Sequence, residues 1–310
     1  MKGKNTLPPL QKGDKIALVA TARKVSPEEM APAITQLKSW GFDVIEPQGL
    51  YAAENQMAGS DDHRATVFQW ALDSDDIKAI LCVRGGYGTV RMIDKIDFSH
   101  FEKHPKWIIG YSDVTVLHSH INRQVGLPTL HATMPINFDG TQSPATDTLR
   151  AALMGEALEY AFDPHPFNRT GTATATAVGG NLSILYSLLG SPSDVDTSGK
   201  ILMIEDLDEY LYHIDRMMMA LKRAGKLSHL RALVVGAMSD MHDNTIPFGR
   251  TAEEIVRDAV RDYDYPVIFG AKFGHIGHQN HAIPLGVEWR LEVRNDGASS
   301  MVYDPKKNAF

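Results

Sequence analysis

Short runs rich in β-formers alternate with helical patterns from the start of the chain, and this alternation restricts the fold more than any other feature. Residues 15–20 (KIALVA), 42–45 (FDVI), 79–83 (AILCV) and 106–109 (KWII) read as strands. Ser26-Pro27-Glu28-Glu29 has the form of a helix start, a serine cap with proline at the first helical position. That helix should run to about Trp40, where Gly41 stops it. A second helix is expected over 63–72, and another begins near Asp113. Buried strands separated by helices require a parallel sheet covered on both faces, because each crossover lays a helix across the sheet. The pattern predicts a doubly wound α/β domain.

From Gly140 to about Thr170 the character changes. TQSPATDT and FDPHPFNRTG are rich in Pro, Ser, Thr and Asp and read as connections flanking one short helix. Further strands are expected over 172–178, 201–205, 232–238 and 267–270, with helical patterns between. The chain closes with a hairpin of 287–293 and 299–303 that turns at Asn295-Asp296-Gly297. We therefore expect an N-terminal α/β domain over 1–140, a linker region over 141–170 and a C-terminal α/β domain over 171–310. A chain of 310 residues suits two units, since single cores stop growing at about 250–300 residues.

Charge and composition remove several function classes. Acidic residues outnumber basic ones 38 to 31, a net charge of −7, so no basic field exists to hold nucleic acid or an anionic membrane. The longest apolar runs, 78–83 and 232–238, fall far short of the roughly 20 residues that span a bilayer. The one cysteine, Cys82, cannot close an internal disulfide. The opening MKGKNTLPPLQKGDK has lysines but lacks the apolar stretch of a signal peptide. A cytoplasmic two-domain protein is the expectation.

Four segments at strand ends carry reactive side chains. Gly110-Tyr111-Ser112-Asp113 lies between the strand KWII and a helix. A serine at such a turn is lifted out at the C-terminal edge of a parallel sheet, beside helix N–H groups that favour an oxyanion; it also reads as a plain helix cap. Arg84-Gly85-Gly86-Tyr87-Gly88 follows AILCV and offers bare backbone N–H groups at the same edge, as an oxyanion hole, a phosphate loop or a structural turn. Its spacing matches neither dinucleotide nor P-loop fingerprints. Glu205 is attached directly to the apolar run ILMI, where it suits orienting a histidine as well as starting an acidic helix. His275, His278 and His281 follow VIFG at three-residue spacing, which invites a metal reading, but one general base fits the segment better than zinc. Serine, glutamate, histidine and a Gly-Gly loop together form the inventory of nucleophilic acyl transfer.

At these residues the sequence resembles the LD-carboxypeptidase family of serine peptidases, which includes muramoyl-tetrapeptide carboxypeptidases and the microcin-immunity peptidases. The matching segments are RGGYG (84–88), GYSDVTVLH (110–118), GGNLSILYSLLGSP (179–192), ILMIEDLDE (201–209) and FGHIGHQNHAIPLG (273–286), in the family order. The resemblance implies Ser112 as nucleophile, Glu205 as the acid and His275 as the base, with the backbone N–H groups of Gly86 and Asp113 as the oxyanion hole. It further implies a site in the cleft between two domains, a homodimer, and no metal or cofactor. In the housekeeping branch the substrate is a murein tetrapeptide ending in meso-diaminopimelate–D-alanine, and the setting is peptidoglycan recycling. The immunity branch cleaves peptidyl or aminoacyl nucleotides. Arg84, beside the glycine loop, is our expectation for binding the free substrate carboxylate, because guanidinium grips carboxylate through a bidentate fork. A non-catalytic small-ligand binder built from the same two domains stands as a rival reading.

Overall fold

The computed structural model describes residues 7–308; the opening MKGKNT, part of the segment read above for a signal peptide, lies outside the described residues. In the first half the chain runs β1 (Lys15–Val19), α1 (Pro27–Ser39), β2 (Asp43–Ile45), α2 (Asp61–Asp73), β3 (Ile77–Cys82), α3 (Thr89–Met92), α4 (Ser99–Lys103), β4 (Trp107–Gly110), α5 (Thr115–His120) and β5 (Thr129–His131). The start of α1 follows from its sequence. Ser26 accepts the Glu29 N–H, the Glu29 carboxylate accepts the Ser26 N–H, and Met30, Ala33 and Leu37 form the buried stripe. The five strands are parallel in the order β2-β1-β3-β4-β5. The chain runs from β1 to β2 on one side and then crosses back to β3 on the other side of β1, and that reversal opens a crevice at the C-terminal ends of β1 and β3.

The second half continues through α6 (Pro144–Leu153), β6 (Leu158–Phe162), β7 (Gly171–Asn181), α7 (Leu182–Ser187), β8 (Ile201–Leu207), α8 (Leu211–Arg223), β9 (Ala232–Ser239), α9 (Ala252–Ala259), β10 (Val267–Ile268), β11 (Ile283–Leu285), β12 (Glu288–Val293) and β13 (Ser299–Tyr303). Its sheet has the order β10-β9-β8-β7-β12-β13-β6. Strands β7 to β10 are parallel, and β12, β13 and β6 extend the sheet antiparallel. The burial of each strand matches its place. β8 (ILMIEDL) is buried residue after residue under helices on one side and the other sheet's layer on the other, whereas β12 (EWRLEV) alternates exposed and buried. The fold is therefore α/β with two sheets and a closing hairpin, as the sequence predicts.

Two features depart from that prediction. The 141–170 stretch is more than a connection: besides the expected helix, α6, it holds β6, which pairs along its length with β13. β11 leaves the second half altogether and pairs antiparallel with β5, from Ile283 opposite His131 to Leu285 opposite Thr129. One apolar cluster runs from Ile16, Leu18, Leu81 and Ile109 in the first sheet to Met203, Val234, Trp289 and Leu291 in the second, so the halves share a core.

Candidate active site

The chain enters the site through the turn between β4 and α5. Gly110 has φ +155, and a Cβ there would lie 2.8 Å from Val114 Cγ2, so only glycine permits the turn. Tyr111 is extended, and Ser112 then adopts φ +62 before the chain coils into α5. Among the described residues four non-glycines have positive φ: Asn55, Asp208, Asp240 and Ser112. Asn and Asp tolerate this region through local hydrogen bonds; serine has less excuse. Ser112 caps no helix through its side chain. The cap reading fails, and a strained, raised hydroxyl remains, which is the geometry of a nucleophile elbow.

The glycine loop closes over that hydroxyl. A Cβ on Gly85 would lie 3.1 Å from Ser112 Oγ, so glycine at 85 lets the backbone approach. Gly86 follows at φ +111. The loop is tied to the elbow by the buried Asp113 carboxylate, which accepts the Thr89 N–H at 2.9 Å at the start of α3. That N–H is taken by the protein's own side chain and is not free for a phosphate. Burial pushes the Asp113 carboxyl above its ordinary range.

Glu205 and His275 come from the second half. Between Ile204 and Asp206 the register of β8 against β9 slips, Ile204 facing Val235 and Asp206 facing Met238, so Glu205 lies at a β-bulge that aims it toward the first sheet. Its carboxylate is fully buried and lies 2.7 Å from His275 Nδ1, on a ring 14% exposed. A neutral His275 that donates from Nδ1 presents an unprotonated Nε2. The loop carrying His275 is held by Gly274 N–H donating to Asn280 Oδ1 and by Ser239 Oγ donating to the His275 carbonyl. The His275 ring rests 4.8 Å from that of Tyr111, whose hydroxyl donates to Asn137. Burial alone would raise the Glu205 carboxyl; the imidazoles of His131 and His275 on either side outweigh it and hold it well below the usual range.

Ser112 and His275 line one cleft of about 230 Å³ together with Arg23, Arg84, Gly85, Gly86, Tyr111 and Asn137. Of the expected site residues, Glu205 lies behind His275, and Asp113 lies behind Ser112. Arg84 reaches the cleft while its guanidinium lies 3.4 Å from Glu29 of α1. The three histidines do not converge. His278 pairs with Asp139 at 3.3 Å, and the His281 ring lies 4.7 Å from that of Tyr160. Among the described residues one group has metal-ligand geometry, Asp75 with His100 and His104, near the N-terminal ends of β3 and β4, the sheet edge opposite Ser112.

Sequence reasoning missed Arg23 and His131. His131 ends the three-residue β5 and is buried against Tyr111 and Phe273, with ring centroids 5.8 and 5.6 Å away. No hydrogen bond of ordinary geometry joins it to Glu205, so it acts on the carboxylate by proximity. Fully buried His118 lies below the elbow, its Nε2 2.9 Å from the Gly110 carbonyl. Burial, reinforced by His131, pulls it down to about 3 and keeps it neutral.

Comparison with known proteins places the chain in a family. Residues 16–132 match the LD-carboxypeptidase N-terminal domain, and residues 174–291 match the LD-carboxypeptidase C-terminal domain. The Bacillus subtilis protein named "Probable murein peptide carboxypeptidase" is 35% identical over 288 residues, covering 90% of this chain and 89% of its own. The structure of muramoyltetrapeptide carboxypeptidase from Oxalobacter formigenes superposes with a TM-score of 0.84 at 25% identity, over 93% of this chain and 98% of that one. The microcin C7 self-immunity protein MccF, in a structure with aspartyl sulfamoyl adenosine, shares the fold at a TM-score of 0.81 and 20% identity, over 95% and 97% of the two chains.

Proposed function

Because this chain belongs to the LD-carboxypeptidase family and is a serine-type carboxypeptidase, we propose that it releases the terminal D-alanine of murein tetrapeptides by cleaving the bond after meso-diaminopimelate. The observation that carries this reading is the pairing of a strained serine with a carboxylate-oriented histidine on one cleft. His275 Nε2 takes the Ser112 proton as Oγ attacks the scissile carbonyl, and then returns it to the departing amine of D-alanine. Glu205 holds the imidazole in the required tautomer and stabilises the imidazolium that forms. The N–H groups of Gly86 and Asp113 receive the oxyanion; losing one such donor costs about 10²–10³ in kcat. Water, activated by the same histidine, then frees the acyl group. A C-terminal-edge site at the reversal of strand order is where open α/β sheets hold ligands.

A homodimer working in the cytoplasm on recycled peptidoglycan completes the proposal; no helix of the described residues is long and apolar enough to cross a membrane. Incubating the tetrapeptide with wild type and Ser112→Ala and following free D-alanine tests it. A second reading, cleavage of an aminoacyl nucleotide, draws on one feature. Beyond β8 the half-exposed rings of Tyr210 and Tyr212 lie 5.6 Å apart, with His242 5.5 Å from Tyr210, a platform on which a base could stack. Turnover of an aminoacyl nucleotide without release of D-alanine from the tetrapeptide would favour that reading.

A further inference from the structure

The cleft around Ser112 has an unbalanced charge. Its lining includes two arginines, Arg23 and Arg84, and no carboxylate, in a chain whose net charge is −7. Arg84 has a partial partner in Glu29 at 3.4 Å. Arg23 has no ion-pair partner among the described residues and is exposed to the cleft. A cationic cavity of this kind calls for an anionic ligand group, and a planar guanidinium suits a carboxylate best.

The backbone fixes where that guanidinium stands. Arg23 follows β1 and Gly86 follows β3, the two strand ends that flank the switch in strand order. The Arg23 N–H donates to the Gly85 carbonyl at 3.4 Å, and Arg23 bridges to Met57 on its other side. Its aliphatic stem then lies directly over Gly86: a Cβ there would be 2.3 Å from Arg23 Cδ and 2.6 Å from Cγ. Any larger residue at 86 would expel the arginine stem. In a peptide cleaved at its last bond, the terminal carboxylate carbon is three covalent bonds from the scissile carbonyl carbon. A guanidinium carried across the glycine that faces that carbonyl is within reach of the carboxylate.

Resting on the peptidase reading above, we propose that Arg23 is the residue that recognises the free terminal carboxylate of the leaving D-amino acid, and so restricts the enzyme to the last residue of its substrate. Arg84, turned toward Glu29, flanks the group.

The test compares the tetrapeptide with its C-terminal amide, using wild type, Arg23→Ala and Arg23→Lys, and follows the released D-alanine or D-alaninamide. Wild type is expected to prefer the free acid. Arg23→Ala should lose roughly 10- to 100-fold in kcat/KM on the acid, chiefly through KM, the scale of a charge-assisted hydrogen bond, with little change on the amide. The preference then collapses, and Arg23→Lys restores part of it. Arg23→Ala that keeps the wild-type preference would overturn the inference, as would loss of the preference in Arg84→Ala but not in Arg23→Ala. A wild type that releases no D-alanine from the acid would overturn the peptidase reading beneath it, and the inference with it.

Discussion

At φ +62 the Cβ of Ser112 crowds the neighbouring carbonyl, a conformation that costs an L-residue about 1–2 kcal/mol. Surrounding structure holds it there: Gly110 turning under Val114, Gly85 closing above the hydroxyl, and His118 bonded to the Gly110 carbonyl. Ser112→Gly should therefore be inactive yet more stable than Ser112→Ala by up to about 1 kcal/mol in denaturant unfolding. Equal stability of the two variants would contradict a strained elbow. Gly274 is constrained from the other side of the cleft. It has φ +98, and a Cβ there would lie 2.5 Å from Glu205 Oε2. Gly274→Ala should push the carboxylate off His275 and lower kcat by roughly 10²-fold, the scale of a misplacement of about 1 Å, while near-UV circular dichroism stays native. Unchanged kcat would mean that His275 needs no orienting acid. Ser112, Glu205 and His275 stood out in the sequence because each lies at or near the end of a recognisable strand, and the structure brings Ser112 and His275 to one cleft with Glu205 behind the imidazole. The sequence did not show whether Ser112 caps a helix, because that turns on one dihedral angle. Arg23 was invisible because it follows β1 on an irregular segment, and His131 because its strand has three residues.

Neighbouring residues of β8 face opposite ways, and their carboxyls shift in opposite directions. Glu205 points to the imidazoles and is held low. Asp206 faces α7, where it accepts from Asn181 Nδ2 and from the Ser183 N–H, both at 2.9 Å. Burial, helped by the Glu205 charge, pushes it up to about 7. Its unfolded value is about 3.9, so between about pH 4 and 7 the native state holds a proton that the unfolded chain has lost. Stability from this group therefore falls as pH rises through that window. Asp206→Asn cannot ionise, so its thermal midpoint should improve relative to wild type at each step from pH 5 to pH 7 and level off above it; a constant gap would place the Asp206 titration elsewhere. For Glu205 the sign reverses: its contribution is present above the ordinary carboxylate range and is lost as pH falls below it. At this scale the sequence carried most of the fold, since β1, α1, α2, β3, β8 and β9 have strong periodicity or capping. It failed at β5, β6 and β11 for different reasons. β5 and β11 are three residues long, and β11 contains Pro284, which is tolerated because the strand is a sheet edge. β6 (LEYAF) alternates buried and exposed as a strand should, but its Pro-rich surroundings read as linker.

The two halves are joined by more than the chain between them. β11 crosses from the second half to complete the first sheet beside β5, and one apolar cluster runs through both sheets. The cleft depends on this joint: Ser112 follows β4 of the first sheet, Glu205 lies in β8 of the second, His275 is on the loop between β10 and β11, and Asn181 N–H donates to Thr115 Oγ1 at 3.0 Å where β7 meets α5. We predict that amides of β5 and β11 exchange hydrogen at the same slow rate, close to that of β8, in native-state exchange followed by mass spectrometry. Fast exchange of β11 alone would mark it as a loosely docked edge. The central claim, that the shared cleft is a serine carboxypeptidase site for murein tetrapeptide, is tested most directly by mass spectrometry of L-Ala-γ-D-Glu-meso-diaminopimelate-D-Ala after incubation with wild type and with Ser112→Ala. The account predicts loss of the terminal D-alanine with wild type and an intact tetrapeptide with the variant. An intact tetrapeptide with wild type, or D-alanine release that persists in Ser112→Ala, would contradict it.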